Sequence, residues 1–193
     1  MQTAPEPDKR TAILHATLDL IAERGFHGTT MALIVRHAGV SAGTIYHYFE
    51  SKDAIIHDLY HSIKRQYGTA LLGGDPFHLP APDNLIRVWL NAFHYHISHP
   101  HESLFLEQYE NSPYLASAPA VHTDEQFATL ITLVAPLMQQ GVLADMPLDV
   151  HYVMTLGVAA ALARRQIAGL IALDEPMQRR IAAVCYRAVA QPH

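Results

Sequence analysis

Residues 25–53 constrain the fold of this chain more than any other segment. They read GFHGTTMALIVRHAGVSAGTIYHYFESKD. Thr30 and Ser41 are good N-cap residues, because a short hydroxyl side chain can accept a free backbone N–H at the start of a helix. The three residues 39–41 hold one glycine and form a turn between two short stretches of helix. The segment therefore predicts helices over about 31–38 and 42–49, joined by a tight turn.

The side chains of this helix pair divide into an inner and an outer set. The inner set is apolar and supplies a small core: Ile34, Val35, Ala38, Val40 and Ile45. The outer set, on the second helix, is small or hydrogen-bonding and comprises Ala42, Gly43, Thr44 and His47. Such groups let a helix enter a DNA major groove, which is about 12 Å wide. The pattern predicts a helix-turn-helix that reads DNA.

The same region is similar to a known family. Residues 10–55, about a quarter of the chain, resemble the N-terminal domain of the TetR family of transcriptional repressors. The blocks that carry the resemblance are residues 23–26 (ERGF), 29–30 (TT), 34–41 (IVRHAGVS) and 43–52 (GTIYHYFESK). One departure is Val35, where alanine is usual. The resemblance implies a ligand-responsive DNA-binding regulator whose remaining helices are divergent.

By this resemblance, two groups of residues contact DNA. Those expected to contact phosphates are Thr30, Ser41, Tyr46 and Lys52. Those expected to face base edges are Ala42, Gly43, Thr44 and His47. Residues 1–55 carry five basic and six acidic side chains, a net charge of −1. DNA contacts must therefore come from local placement, hydroxyls and helix N-termini rather than from a bulk positive field.

The periodicity of the whole chain predicts an all-α fold of about nine helices. Apolar residues recur at helical spacing throughout, and no alternating strand pattern is present. We expect a DNA-binding domain over residues 1–53 and a ligand-binding and dimerisation domain over 54–193. Predicted helix 8, after Pro147, is almost continuously apolar through Ala163, and predicted helix 9 begins near Glu175. The resemblance implies a homodimer through these last two helices.

The resemblance also implies a small-molecule pocket among the middle helices. Candidate lining residues are aromatic or polar side chains that follow the DNA-binding segment: Trp89, Phe93, His96, Phe105, Glu107, Tyr109, Phe127 and Tyr152. An apolar lining with few polar groups is typical of ligand sites and equally of ordinary cores. If Glu107 points inward, a cationic ligand is favoured; otherwise the ligand is a neutral lipophile or an acyl chain.

Composition limits the remaining classes of function. A single cysteine, Cys185, excludes an internal disulfide and favours a cytoplasmic location. The longest apolar run falls far short of the roughly 20 residues that span a bilayer. No Ser/His/Asp, Walker or dinucleotide fingerprint is present, so we expect neither an enzyme nor a cofactor.

The leading hypothesis is a homodimeric repressor that a small apolar molecule releases from a palindromic operator. Two alternatives stay open. The chain has 14 histidines, among them His57 and His61 at i, i+4, so it could be a metal-responsive regulator, although we expect no metal site. It could also be a helical small-molecule carrier with a vestigial DNA-binding head.

Overall fold

The computed structural model describes residues 8–117 and 125–191. Every extended regular element in these residues is helical, and an isolated antiparallel bridge joins Leu143 to Ala190. The all-α prediction is confirmed. The helices are α1 (Lys9–Gly28), α2 (Met31–Ala38), α3 (Ala42–Tyr48), α4 (Lys52–Leu71), α5 (Asp83–Ser98), α6 (Pro100–Glu110), α7 (Pro113–Ser117), α8 (Glu125–Gln139), α9 (Leu148–Tyr152), α10 (Val158–Ile167) and α11 (Glu175–Val189).

Two details separate these helices from the predicted nine. The short helix α7 lies where the sequence predicted a loop, and predicted helix 8 consists of α9, a π-helical turn over Val153–Gly157, and α10. Within that turn, Oγ1 of Thr155 donates a hydrogen bond to the carbonyl oxygen of His151 at 2.6 Å. A side-chain donor at that carbonyl competes with the backbone ladder, and a π turn is one way in which a helix accommodates the disturbance.

The chain forms two compact units. Unit 1 comprises the described residues within Met1–Ile63 and Leu104–Ala120, and unit 2 comprises those within Lys64–Ser103 and Val121–His193. Helices α4 and α6 each contribute to both units. The domain boundary proposed from the sequence, between residues 53 and 54, lies within unit 1 at the start of α4. It remains a prediction about function, since a compact unit need not coincide with a functional domain.

Unit 1 has a core built from α1, α2, α3, the first half of α4 and the second half of α6. Helices α1, α2 and α3 pack against one another, and Ile34 and Ile45 are completely buried between them. Val35, Ala38 and Val40 are half-buried against the same core. The inner set predicted from the sequence therefore packs as expected. Gly39 ends α2 in the left-handed region, with φ 66°, a conformation that glycine adopts without a steric penalty.

Unit 2 is organised around α5. This helix packs against α10 and α11, and its side chains Val88, Trp89, Ala92 and Phe93 are buried in the core. Cys185, the single cysteine, is buried in the same core, and burial raises the pKa of its thiol. Helix α5 therefore supplies most of the buried aromatic surface of unit 2.

Candidate nucleic-acid interface

Two hydroxyl side chains fix the starts of α2 and α3. Oγ1 of Thr30 accepts a hydrogen bond from the backbone N–H of Leu33 at 3.3 Å, and Oγ of Ser41 accepts one from the N–H of Thr44 at 3.0 Å. Capping uses these oxygens as acceptors and leaves an O–H as a donor. Both residues can thus hold the helix-turn-helix together and still donate to an anionic oxygen.

Ser41 and Thr44 form a second contact through their side chains. Their hydroxyl oxygens lie 2.8 Å apart, so one hydroxyl donates to the other. This pair fixes the rotamer of Thr44 at the first turn of α3, where the side chain is half-buried. A hydroxyl that is already held in one orientation loses less conformational entropy when it binds a base edge or a phosphate.

The outward face of α3 is exposed, while the inward face anchors the helix. Ile45 is completely buried and Phe49, just after the helix, is 6% exposed. On the opposite side Tyr46 is 59% exposed, and its phenolic O–H can reach a partner outside the protein. Three further residues predicted to contact DNA are exposed on this helix: Ala42, Gly43 and His47.

Gly43 has room for a larger side chain within the protein. A Cβ atom at this position would meet only Oγ of Ser41, at 3.8 Å, which is an ordinary van der Waals distance. Glycine within a helix costs about 0.5–1 kcal/mol relative to alanine. Neither the fold nor helix propensity accounts for this glycine. Close approach of α3 to another molecule would account for it, because the missing Cβ would let the backbone come nearer.

Lys52 makes a contact within the protein. Its Nζ donates a hydrogen bond to the carbonyl oxygen of Phe26 at 2.9 Å, which ties the start of α4 to the end of α1. An ammonium carries three donors, so two remain for other acceptors. The phosphate contact that the resemblance implies for Lys52 stays a prediction, and it would come in addition to this structural role.

Two residues expected to line a ligand pocket lie in the core of unit 1. Phe105 and Tyr109, on α6, are completely buried there. Phe105 packs edge-on against Phe26, with ring centroids 5.9 Å apart. The hydroxyl of Tyr109 lies 2.8 Å from Nδ1 of His57, and its ring stacks on Tyr60 at 4.0 Å. Sequence periodicity marked these residues as buried but did not identify their partners.

Helix α7 adds one more contact to unit 1. The hydroxyl of Tyr114 donates to Oδ1 of Asp53 at 3.0 Å, and its ring lies 4.9 Å from that of Phe26. The contact with the Asp53 carboxylate, together with burial, raises the pKa of Tyr114 to about 12; burial is the larger cause. Tyr114 therefore stays protonated and continues to donate near neutral pH.

The other pocket candidates are distributed as follows. Glu107 is half-buried in unit 1, whereas Trp89, Phe93, His96 and Tyr152 belong to unit 2. Trp89 and Phe93 stack with ring centroids 5.6 Å apart. The side chain of Phe127 lies outside the described part of the structure. The seven candidates whose side chains are described are thus divided between the two units, and their role in ligand binding remains a prediction.

The described histidines have separate partners. His57 meets Tyr109, the Nε2 atom of His94 lies 2.9 Å from Oε1 of Gln178, and Nδ1 of His96 lies 3.0 Å from Oγ of Ser103. Within residues 8–117 and 125–191, no group of three His, Cys, Asp or Glu side chains could hold a metal ion. The described residues therefore give the metal-responsive alternative no support.

The imidazole of His96 has a clearly lowered pKa. Burial, together with the positive charges of Arg164, Lys64 and His99, lowers its pKa to about 4; burial is the largest cause. Sequence reasoning selected His96 but missed its neighbours Lys64 and Arg164. Their proximity arises from tertiary packing of α4 and α10 around α5, for which a single sequence carries no local signal.

A capped helix-turn-helix with an exposed second helix is typical of DNA-binding regulators of transcription. Among the described helices, none has the length and apolarity needed to cross a membrane. A family model described as "Bacterial regulatory proteins, tetR family" matches residues 13–59, and one described as "Tetracyclin repressor-like, C-terminal domain" matches residues 81–190. The chain belongs to the TetR family and is a transcriptional regulator.

Curated relatives are similar over the N-terminal part. The transcriptional regulator BetI of Klebsiella pneumoniae is 42% identical over 67 residues, which cover 35% of this chain and 34% of that protein. The regulator UidR of Escherichia coli K12 is 45% identical over 56 residues, or 29% of this chain and 28% of that protein. The chain thus spans about a third of the length of the curated relatives it matches.

A solved structure is similar over almost the whole chain. A TetR family transcription regulator from Marinobacter aquaeolei VT8 has a TM-score of 0.82 and 23% identity, covering 95% of this chain and 96% of that one. At this identity, the likeness shows the fold alone.

Proposed function

We propose that the protein is a homodimeric repressor that binds a palindromic operator through α3 and is released when a small molecule binds unit 2. The observation that carries the proposal is the outward face of α3. Its hydroxyls are oriented by N-caps, its phenol at Tyr46 is exposed, and Gly43 lacks a Cβ that the fold could accommodate. This combination supports a helix that approaches DNA closely.

The family resemblance divides the expected DNA-contacting residues into two groups. Thr30, Ser41, Tyr46 and Lys52 would contact phosphates and fix the register of the helix on the duplex. Such contacts carry no sequence information themselves. Ala42, Gly43, Thr44 and His47 would face the base edges, where hydrogen bonds and apolar contacts distinguish the base pairs.

Helix α11 supports a dimer because it has two apolar faces. One face, with Ala182, Cys185 and Val189, is buried in the core of unit 2. A second stripe at helical spacing is partly or well exposed and comprises Met177, Ile181, Val184 and Ala188. Met177 is 40% exposed and Val184 is 49% exposed. Pairing of this stripe with a second copy would remove the apolar surface from water.

The segment before α11 extends the same argument. Val153 in the π turn is 63% exposed, and Leu170 after α10 is 67% exposed. We expect these side chains to extend the apolar stripe of α11, because a continuous exposed apolar patch marks an interaction surface. We therefore assign the dimer contact to α9, α10 and α11, which correspond to predicted helices 8 and 9.

Release by an effector requires that the small molecule bind one conformational state more tightly than the other. Helices α4 and α6 are suited to carry such a change, because each contributes residues to both units. In unit 1 they are joined by the contact between His57 and Tyr109. A displacement of either helix would then alter the support beneath α3 and lower the affinity for DNA.

The test is a fluorescence-anisotropy titration of the protein onto the DNA upstream of its own gene and onto a scrambled duplex. We expect selective binding with two protomers, or a multiple of two, per site. Increasing salt should weaken the binding as counterions compete for the phosphates. Equal affinity for both duplexes, together with no enrichment from a random duplex library, would contradict the proposal.

A further inference from the structure

The buried polar atoms of unit 2 that lack a hydrogen-bond partner among the described residues include two on adjacent residues of α5. These two are Nε2 of His96 and the hydroxyl oxygen of Tyr95. His96 is 2% exposed and Tyr95 is 5% exposed, so bulk water does not reach them freely. An unsatisfied buried polar group costs about 1–3 kcal/mol, and native proteins rarely retain one without a reason. These two atoms need a partner from outside the described chain.

The imidazole of His96 is held in a defined orientation. Its other nitrogen, Nδ1, lies 3.0 Å from Oγ of Ser103. The ring of Tyr67 lies 5.1 Å from that of His96 and 5.0 Å from that of Tyr95, so the three rings form one cluster. When the hydroxyl of Ser103 donates to Nδ1, Nε2 carries the proton and becomes a hydrogen-bond donor.

The charges around this cluster favour an anion. Lys64 and Arg164 both act on His96, and together with burial they keep the imidazole neutral near pH 7. Nζ of Lys64 lies 6.0 Å from the ring centroid of Tyr67 and 5.8 Å from that of Tyr152, so the ammonium belongs to the same cluster. Burial, together with the charge of Glu102, raises the pKa of Tyr95, which keeps its phenol protonated as a donor. Lys64 and Arg164 outnumber this one carboxylate, so with neutral donors beside them they penalise a cation and stabilise a carboxylate.

The face of α5 that carries His96 is otherwise aromatic. Phe93 and Trp89 precede His96 by three and seven residues, which places the three side chains along one side of the helix. Trp89 and Phe93 stack on each other with nearly parallel rings, 7° apart. An apolar ligand lying along this side of α5 would contact the rings of Trp89 and Phe93, and one end of it would reach the imidazole of His96.

We propose that His96 and Tyr95 bind the carboxylate headgroup of the effector, an apolar carboxylic acid whose hydrocarbon part packs along α5. The inference rests on the proposed function, because it names the chemical class of the effector that releases the repressor. It replaces the cationic ligand that an inward-pointing Glu107 would have favoured, since Glu107 belongs to unit 1.

The experiment uses the full chain without DNA and follows the emission of Trp89, the single tryptophan. Decanoate, 1-decanol and decylamine are titrated at pH 7.5, below their aggregation concentrations. Because a charge-assisted hydrogen bond is about twice as strong as a neutral one, we expect decanoate to bind about tenfold more tightly than decanol. Decylamine should bind more weakly than either.

Three variants assign the headgroup contact. His96→Phe and Tyr95→Phe should each reduce the preference for decanoate over decanol while leaving decanol binding in place. His94→Gln, on the same helix but exposed and paired with Gln178, is the matched control and should leave the preference unchanged. Circular-dichroism melts verify that each variant is folded. Tyr95→Phe removes one hydroxyl, so it remains informative if His96→Phe fails to fold.

The proposal is overturned by equal affinities for decanoate and decanol in the wild type. It is also overturned by an absence of saturable binding, or by a preference that survives both His96→Phe and Tyr95→Phe. After any of these results, ordered water or another part of the chain would be the remaining hydrogen-bond partner for the two buried atoms. Since no DNA is present, selective operator binding in the separate anisotropy titration would still support the proposed function. Carboxylate binding without operator binding would overturn the proposed function and leave this site intact.

Discussion

Nζ of Lys52 donates a hydrogen bond to the carbonyl oxygen of Phe26 across 2.9 Å, so a lysine expected at the DNA also joins two helices of the reading head. The contact bridges the first residue of α4 and the end of α1. Such a lysine contributes to the position of the helix-turn-helix as well as to its charge. Both contributions are open to measurement.

Lys52→Ala is therefore expected to change stability and DNA binding together. Loss of a charge-assisted hydrogen bond should lower the free energy of unfolding by about 1–2 kcal/mol, measured in urea. Loss of one phosphate contact should weaken binding to all duplexes alike and reduce the salt slope by about one. Arg65→Ala, an exposed cation on α4 in unit 2, is the control. An unchanged salt slope in Lys52→Ala would restrict this residue to its structural role.

Gly43→Ala should raise the stability of the protein and lower its affinity for the operator. The added methyl group meets no close neighbour in the protein and favours the helix, so the free energy of unfolding should rise by up to about 1 kcal/mol. Operator affinity should fall, because the Cβ occupies the space into which DNA must come. Thermal melts and anisotropy titrations measure the two effects. A variant that is more stable and binds the operator as tightly as wild type would contradict the close approach of α3.

Val184→Glu should disrupt the homodimer without unfolding the protomer. The side chain is 49% exposed on the outward stripe of α11, so a carboxylate there meets water in the monomer but would be buried in the dimer. Sedimentation velocity should detect a shift from dimer to monomer at micromolar concentration. Gln66→Glu places the same charge on an exposed position of α4 and should remain dimeric. A dimeric Val184→Glu protein would show that another surface mediates dimerisation.

The lowered pKa of His96 predicts a dependence of stability on pH. The imidazole titrates near 6.5 when unfolded and at about 4 when folded, so between these values the unfolded chain binds more protons. Stability from this group is complete above about pH 6.5 and is lost as the pH falls towards about 4. The shift corresponds to about 3 kcal/mol at most, since one pKa unit is worth about 1.4 kcal/mol.

Urea titrations between pH 7.5 and 4.5 measure this dependence. His96→Gln removes the titrating group and should flatten the profile in that range, whereas His94→Gln should retain the wild-type slope. Identical slopes for wild type and His96→Gln would mean that the folded protein protonates His96 as readily as the unfolded chain does.

Local signals explain which parts of the fold were predictable from the sequence. The helix ends at Thr30, Ser41 and Gly39 are fixed by hydrogen bonds between residues three to five positions apart in the sequence. The bounds of α2 and α3 were therefore predicted to within a residue. Burial of Ile34 and Ile45 followed from helical spacing in the same way. An N-cap or a glycine turn needs no knowledge of the rest of the chain.

Long-range packing partners were not predictable, because the spacing of an apolar stripe does not depend on the surface against which it packs. Phe105 and Tyr109 were pocket candidates because they are aromatic, and their contacts with Phe26 and Tyr60 in unit 1 have no local signal in the sequence. The hydrogen bond of Lys52 joins residues 26 positions apart and has no local signal. Tyr95 escaped notice because its ring reads as ordinary core, and only the structure shows that its hydroxyl has no partner among the described residues.

Selection of the purified protein against a random duplex library tests the central claim most directly, because it assumes nothing about the location of the operator. We expect an enriched palindrome whose half-sites lie about one helical turn apart, or a multiple of that distance. Repeating the selection with Thr44→Val should change the preferred bases within each half-site. Absence of any enriched sequence, or a sequence without two-fold symmetry, would contradict a dimeric protein that reads DNA through α3.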